Sequence, residues 1–351
     1  PPTAPTAQRR PHRPAQRPPS PPTFALHCGW PAPSELSRER GGGRAESFAL
    51  RCGWPGPSEP SHERGRAYGR GMAAEPLELH PWNRGFTWQD RSGPFRRLEP
   101  VQVAGFDRDG FVVLPDVFGD DELAPLIEAI DRNEAATEDF LRSLYGGRIS
   151  IAESGAITFT VHLVEREPIA AAFARHPVFA DLCHDLIGPD ARLYWDQAVY
   201  KKPEKPRRFP WHQDNGYAFV EPQQYLTCWV ALTEATVENG CPQVIPGLHR
   251  RGTYRHRYVD PLGWEIIESH PDATAAPVGK GGIVVFSSLT PHLTGPNVTD
   301  AVRKAYILQY APDAAVVLAG DPSSGAPTGR LPADAPSRQF PILADGQPTA
   351  G

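Results

Sequence analysis

The chain has 351 residues, of which 40% are hydrophobic, and its formal net charge is -5. This length is enough for one large domain or two small ones with an apolar core. No stretch approaches about eighteen consecutive apolar residues and no secretory signal is visible, so we expect no membrane partner.

Cysteine usage is sparse and unpaired. The five cysteines are Cys28, Cys52, Cys183, Cys228 and Cys241, an odd number without a CxxC pair. This pattern argues against a disulfide framework and against a thiolate zinc site. We therefore expect a reducing environment and predict a cytoplasmic location.

The charge is distributed unevenly along the chain. Residues 1–71 contain 11 Arg, 5 Glu and no Lys, whereas the remainder contains 25 basic and 36 acidic residues. The acidic remainder has no basic face suited to nucleic acid, so no nucleic-acid partner is expected.

Residues 1–71 are rich in Pro, Arg, Gly and Ser and contain a near-repeat that begins at Phe24 and again at Phe48. This composition cannot bury enough apolar surface to offset chain entropy, so we expect disorder. Because Met72 is the sole methionine, we favour the interpretation that residues 1–71 precede the native start. The alternative is an arginine-rich tail that binds an acidic partner.

From Met72 onward the pattern predicts a folded domain that ends near residue 312. Residues 106–115 predict a turn that leads into a short strand. Apolar spacing after Gly119 predicts a helix of about four turns, and a further helix is predicted over residues 177–187.

After Gly188 the apolar period approaches two, which is typical of strands. Strands are predicted over residues 192–201, 225–233, 282–286 and 304–310. Helices followed by a run of strands favour a β sandwich or barrel with helices packed outside. The Pro-, Ala- and Gly-rich residues 313–351 are predicted to form an extended tail.

His212 and Asp214 are the first candidate site residues. In an extended segment, side chains two residues apart project from the same face, so an imidazole and a carboxylate lie side by side. A second histidine would complete a facial triad, which leaves half of an iron ion's coordination sphere open. His292 is the best placed, since it follows the apolar strand 283–286, whereas we interpret His249 as structural.

Arg303 follows His292 by eleven residues, across the turn-rich segment 295–300. If that turn closes a hairpin, Thr294 faces Val302 or Arg303 at about 5 Å across the strands. A guanidinium beside a hydroxyl is suited to a carboxylate held by a bidentate fork. The alternative is that Arg303 is an exposed charge at a strand end.

Taken in order, these residues resemble the phytanoyl-CoA dioxygenase family of non-haem iron, 2-oxoglutarate-dependent oxygenases. The resemblance spans residues 106–312. It rests on segments 110–115, 211–214, 238–240 and 246–249, followed by His292 and Arg303. It implies a mainly β protein with a double-stranded β-helix core, a cupin-like jelly roll, and flanking N-terminal α-helices. Residues 72–312 would form the oxygenase domain.

The resemblance implies that His212, Asp214 and His292 bind Fe(II) and act in catalysis. It implies the hydroxylation of a C–H bond with O2, while 2-oxoglutarate is converted to succinate and CO2. Related halogenases replace the carboxylate ligand with a small residue, so Asp214 favours hydroxylation.

The cosubstrate site is also implied by the resemblance. Arg303 would hold the distal carboxylate of 2-oxoglutarate with help from Thr294, and Trp229 and Gln197 would lie near it. The alternatives are that Trp229 is plain core and that Gln197 only satisfies backbone groups. Leu248 replaces the serine that is common in the family's Pro-Gly-x-His turn, which puts loop contacts in doubt but touches no metal ligand.

The substrate is a small molecule in this interpretation, but its identity stays open. Trp211, Asn215, Tyr217 and Phe219 line a pocket or belong to the core, and His162 reaches the pocket mouth or is structural. The basic run 201–208 is a candidate for binding a CoA phosphate, although a solvated loop is favoured.

Two other classes of function stay open. One is a cupin-like metal-dependent isomerase or small-molecule binding protein on the same barrel. The other is an interaction protein that acts through its Arg/Pro-rich N-terminus. A monomer or a homodimer is expected in each case.

Overall fold

The computed structural model of the protein describes residues 77–349, so the predicted disordered segment 1–71 lies outside the described residues. The α-helices of the described part are α1 Pro100–Asp109, α2 Asp120–Ser143, α3 Pro168–Ala174 and α4 Pro177–Leu186. The strands are β1 Phe111–Leu114, β2 Arg148–Ile149, β3 Ala152–Glu153, β4 Ile157–Val161, β5 Ala191–Lys201, β6 Phe209–His212, β7 Val220–Glu221, β8 Leu226–Ala231, β9 Pro242–Val244, β10 Arg257–Val259, β11 Gly263–Glu265, β12 Thr274–Ala275, β13 Ile283–Ser287, β14 His292–Thr294, β15 Arg303–Pro312, β16 Val316–Ala319, β17 Gly329–Pro332, β18 Pro341–Ala344 and β19 Gln347–Pro348. Within residues 77–349, no helix is both long and apolar enough to cross a membrane.

Two antiparallel sheets dominate the structure. The larger sheet has ten strands; its main order is β1-β13-β8-β15-β5-β4-β3-β2, and β18 and β19 join it through β5. The smaller sheet has the order β12-β9-β14-β6. Many neighbouring strands, such as β1 and β13 or β15 and β5, come from distant parts of the chain, which is the connectivity of the predicted jelly roll.

Both faces of the larger sheet are covered. On β15, Tyr306, Leu308 and Tyr310 pack in a cluster with residues of the four helices. Ala305 and Ile307, which alternate with them, pack in a second cluster with residues of the smaller sheet. A sheet that is buried on both faces needs apolar residues at nearly every position, which explains its continuous apolar runs.

Helix α2 is longer than predicted, with 24 residues instead of about four turns. Its N-terminal half buries Leu123 and Ile130, as the apolar spacing indicated. Further along, the buried face becomes acidic. The ammonium of Lys202 lies 2.8 Å from Glu134 and 3.3 Å from Glu138. The second half of the helix therefore buries ion pairs in place of apolar side chains, which interrupts the apolar period in the sequence.

The extended tail predicted for residues 313–351 is wrong for its described part. β16 pairs with β7 and β17, and β18 pairs with β5 of the larger sheet. Leu343 and Phe340 are buried. These strands have four residues or fewer, and β17, β18 and β19 begin or end with proline, so their composition concealed them.

The predicted hairpin between His292 and Arg303 is also wrong. β14 pairs with β6 and β9, whereas β15 pairs with β5 and β8, so the two strands belong to different sheets. The connecting segment is held by Asn297, whose amide donates to the carbonyls of Lys201 and Ala301 at 2.9 and 2.7 Å. Lys201, which faces Arg303 across β5 and β15, donates to the Thr294 carbonyl at 2.8 Å.

Candidate metal and cosubstrate site

His212, Asp214 and His292 come together at one point of the smaller sheet. His212 ends β6, His292 begins β14, and the two pair directly in the register. Asp214 begins the short 3-10 helix that follows β6, and its Oδ1 lies 3.8 Å from Nε2 of each histidine. The ligand atoms lie within 4.8 Å of one another, close enough for a single ion. Two imidazoles and one carboxylate fit Fe(II).

Backbone carbonyls orient both histidines. Nδ1 of His212 lies 2.9 Å from the Pro210 carbonyl, and Nδ1 of His292 lies 3.0 Å from the Thr290 carbonyl. When each Nδ1–H donates to its carbonyl, Nε2 keeps a lone pair for a metal ion. Burial, reinforced by the neighbouring His292, lowers the pKa of His212 well below its usual value. His212 is therefore neutral at physiological pH, as a metal ligand requires.

Residues of the larger sheet support this set from the opposite side. The Thr227 hydroxyl donates to Oδ2 of Asp214 at 2.5 Å, which leaves Oδ1 directed at the histidines. The Phe286 ring lies 4.4 Å from the His292 ring between centroids. The sequence analysis missed both residues. Thr227 precedes Trp229 by two positions on β8, so its place on the same face as Trp229 could have been predicted.

Arg303 is a buried cation with no acidic partner among the described residues. It is 1% exposed, and Nη1 makes one long hydrogen bond of 3.4 Å to the Val199 carbonyl. Within residues 77–349, Nε and Nη2 find no partner at all. The guanidinium carbon lies 5.0 Å from the centre of the Trp229 ring. Burial lowers the pKa of Arg303 to about 9.

The surroundings of Arg303 fit the distal carboxylate of 2-oxoglutarate. Buried donors without partners are rare in native proteins, and a buried charge without a counter-ion is costly. A carboxylate placed against Nε and Nη2 would accept one hydrogen bond from each nitrogen, in a bidentate arrangement. The alternative that Arg303 is an exposed strand-end charge is excluded by its burial.

The three supporting residues of the predicted cosubstrate site are less tightly defined. Trp229 is 4% exposed and forms one wall beside Arg303. Gln197 faces Ile307 across β5 and β15, and its side chain makes no hydrogen bond to another described residue. Thr294 is 9% exposed, and its hydroxyl makes no hydrogen bond to another residue in the described part of the chain.

Of the four residues considered for the substrate pocket, only Tyr217 contacts a proposed ligand. Its ring lies edge-on to His212, with centroids 5.3 Å apart. Trp211 packs in a separate cluster on the smaller sheet, and Phe219 packs in another with Trp82. The Asn215 amide bonds to the loops around it. These three are structural.

The remaining histidines considered in the sequence lie outside the triad. His249 contacts the Asp107 carbonyl at 3.2 Å and the Trp88 ring at 4.4 Å, so it is structural as interpreted. His162 lies edge-on to Trp195, with ring centroids 4.4 Å apart.

The basic run 201–208 is occupied by contacts within the chain. Lys201 is buried against backbone carbonyls, and Lys202 pairs with acids of α2. Lys205 and Arg207 both contact Glu153. The run is thus not a free basic cluster, and its middle, residues 204–206, is an exposed loop, as favoured.

Several known proteins are similar to this chain in sequence. Residues 106–305 match the sequence model of the family described as phytanoyl-CoA dioxygenase. Over 238 residues the chain is 26% identical to ectoine dioxygenase of Bordetella parapertussis, covering 61% of this chain and 75% of that protein. Over 139 residues it is 33% identical to methylphosphonate hydroxylase of Gimesia maris, covering 37% of this chain and 49% of that protein.

A solved structure extends the similarity to the fold. The chain is similar to EvdO2 from Micromonospora carbonacea var. aurantiaca complexed with 2-oxoglutarate, with a TM-score of 0.50 and 27% identity. The match covers 64% of this chain and 95% of that one. The predicted family and the jelly roll are confirmed. The chain belongs to the phytanoyl-CoA dioxygenase family and is a non-haem iron, 2-oxoglutarate-dependent dioxygenase.

Proposed function

We propose that this dioxygenase hydroxylates an unactivated C–H bond of a small-molecule substrate and releases succinate and CO2 from 2-oxoglutarate. The metal ligands in this proposal are His212, Asp214 and His292. The observation that carries it is the buried guanidinium of Arg303, whose Nε and Nη2 lack partners within residues 77–349. A metal-dependent isomerase or a binding protein on the same barrel has no need of such a clamp for a dicarboxylate.

The bound iron, with 2-oxoglutarate and O2, supplies the oxidising chemistry that breaks the C–H bond. The residues of the chain supply position. Arg303 would hold the distal carboxylate of 2-oxoglutarate, and the triad would hold the iron. Thr227 holds Asp214 through a hydrogen bond, and the buried rings of Trp229 and Phe286 lie against Arg303 and His292 respectively. With Asp214 present, the position that a halide would need is occupied, which favours hydroxylation.

The substrate does not follow from the fold. Relatives are named for ectoine and for methylphosphonate, and the family is named for phytanoyl-CoA. These three compounds are therefore the first probes. The residues of the basic run 201–208 are engaged within the chain, which disfavours a CoA thioester.

Labelled turnover tests the proposal. The protein is supplied with Fe(II), 2-oxoglutarate, 18O2 and each of the three probes, and succinate and product mass are measured. One probe is expected to raise succinate release and to gain a single 18O atom. Probe-dependent succinate release without label in the product would rule out hydroxylation.

The variant Asp214→Ala tests the proposed ligand set. It removes the one anionic ligand, so succinate release is expected to fall at least 100-fold. Asp272→Ala is the matched control, because the Asp272 side chain is 77% exposed and pairs with His270 instead of the triad, and this variant should keep wild-type turnover. Succinate release that survives in Asp214→Ala would show that the ligand assignment is wrong.

A further inference from the structure

Gln309 is a buried polar side chain for which the proposed chemistry has no role. It lies on β15 and is 7% exposed. Its carboxamide makes no hydrogen bond to any other residue within the described range 77–349. Although the residue is largely buried, its Oε1 and Nε2 are not sealed from solvent, so the carboxamide faces a space that a ligand can reach.

The register of the larger sheet places Gln309 beside the proposed metal ligands. Gln309 faces Thr227 on β8 and Trp195 on β5. Residues that face each other on antiparallel strands point to the same side of the sheet and lie about 5 Å apart. Thr227 points towards the smaller sheet, because its hydroxyl bonds to Asp214. Gln309 therefore projects towards the same space, next to Asp214.

The strand pairing is irregular at this position. The pairing of β15 with β5 shifts between Gln309 and Tyr310 because β5 carries one extra residue, Tyr194, whereas the pairing of β15 with β8 continues without a shift. The Tyr310 hydroxyl donates to the Ala174 carbonyl at 2.8 Å, on the helix-covered face. The alternation of side chains along the strand thus agrees that Gln309 faces the smaller sheet.

Gln309 lies away from the cosubstrate clamp. Arg303 is six residues earlier on the same strand, about 20 Å away between Cα atoms at the usual rise of a strand. Its guanidinium stacks beside Trp229, which faces Ile307 between the two positions. A dicarboxylate that joins the triad to Arg303 extends away from Gln309. The space in front of Gln309 is therefore left for the substrate.

We propose that Gln309 binds a polar group of the substrate. Its carboxamide offers one acceptor and two N–H donors, which match a carboxylate, amide, amidine or phosphonate. A hydrocarbon chain would leave all of these groups unsatisfied in a buried site. This inference rests on the proposed hydroxylase function and adds the substrate class, a compact polar molecule instead of a fatty acyl thioester.

A melting comparison tests whether the carboxamide is held without a partner. Gln309→Met replaces it with an apolar group of similar size. The Tm of the full chain, loaded anaerobically with Fe(II) and 2-oxoglutarate, is expected to rise by about 2–5 °C, because no protein hydrogen bond is lost. A Tm below that of the wild type would overturn the proposal, because Gln309 would then have a structural partner.

Gln223 is the matched control for this comparison. It is a glutamine with similar burial, 8% exposed, but its Oε1 accepts from the Thr253 amide and hydroxyl at 3.0 and 2.8 Å. Gln223→Met is therefore expected to lower the Tm by at least about 2 °C. The two variants thus differ in the sign of the shift.

Turnover tests the substrate class. Ectoine or methylphosphonate is expected to stimulate the wild type, and Gln309→Met should raise the KM for that probe at least tenfold. Stimulation by phytanoyl-CoA that is equal in the wild type and in Gln309→Met would overturn the proposal. The melting comparison needs no substrate and decides the matter if no probe is turned over.

The failure of this inference can be separated from the failure of the proposed function. Anaerobic Fe(II) and 2-oxoglutarate should give a visible charge-transfer band with the wild type. If the band forms but Gln309→Met melts below the wild type, only the substrate inference fails. If the wild type gives no band, the proposed function itself fails.

Discussion

The position of the Asp214 carboxylate depends on one hydroxyl, that of Thr227. Thr227→Val keeps the shape of the side chain and removes the 2.5 Å hydrogen bond to Oδ2. Loss of a group that orients a metal ligand weakens metal binding by about 10- to 100-fold. We therefore expect the Fe(II) dissociation constant, measured by anaerobic titration, to rise at least tenfold.

Thr160→Val provides the control for this prediction. Thr160 is also a fully buried threonine of the larger sheet, but its hydroxyl contacts only Thr137, at 3.4 Å. Its replacement should leave the Fe(II) affinity unchanged within about twofold. If both variants bind Fe(II) as the wild type does, the hydroxyl of Thr227 has no part in orienting the carboxylate.

Local spacing in the sequence was sufficient to identify some of the side chains that meet at the site. His212 and Asp214 were found because they are close in sequence, and His292 because it follows an apolar strand. Thr227 and Gln309 were missed because their contacts and pairing depend on the order of strands in the larger sheet. Spacing along the chain carries no information about that order.

Among the elements, the pairing of β14 and β15 shows the same limit. The turn-rich segment 295–300 predicted a hairpin, but the two strands belong to different sheets. A turn signal reports that the chain changes direction, and not which strand becomes its neighbour. The strands β5, β8, β13 and β15 of the larger sheet were predicted well because their apolar runs are long, whereas β16 to β19 were missed because they are short.

The C-terminal strands are expected to be essential for stability. Removal of residues 313–349 would remove four buried side chains and expose the apolar surface against which they pack. These are Leu318, Phe340, Ile342 and Leu343. Burial of each such side chain contributes about 1.5–3 kcal/mol, so the combined loss is comparable with the total stability of a typical domain. The truncated chain should be insoluble or lack a cooperative melting transition.

A chain that begins at Met72 is the control for this truncation. It retains every residue proposed for the site, and we expect its Tm and turnover to match those of the full chain. A protein without residues 313–349 that melts at the wild-type temperature would show that the C-terminal strands contribute little.

At the scale of the whole molecule, histidines whose pKa is lowered by burial are expected to limit the stability of the protein at low pH. Burial lowers the pKa of His80 and His249 to about 4 and that of His256 to about 3. Their contribution to the free energy of unfolding is complete above about pH 6.5, the pKa of histidine in the unfolded chain. It is lost as the pH falls towards the pKa values of these histidines in the folded protein. Asp196 acts in the opposite direction, because burial raises its pKa to about 6 and its contribution is lost as the pH rises through that value.

Three histidines outweigh one carboxyl group, so acidification should destabilise the protein. The Tm of the metal-free protein is expected to stay nearly constant between pH 8 and 7 and to fall by roughly 5–15 °C by pH 4.5. Thermal melts monitored by circular dichroism across this range provide the measurement. A Tm that holds steady down to pH 4.5 would mean that these histidines are not held neutral in the folded state.

The most direct test of the site is the binding of Fe(II) and 2-oxoglutarate without oxygen, followed through the visible charge-transfer band of their complex. The wild type should show the band, and titration should give a saturating dissociation constant for 2-oxoglutarate. Arg303→Met removes the buried fork, and loss of a buried charged partner is expected to raise that constant at least 30-fold. A wild type without the band, or an Arg303→Met variant that binds 2-oxoglutarate as tightly as the wild type, would contradict the assignment of this site.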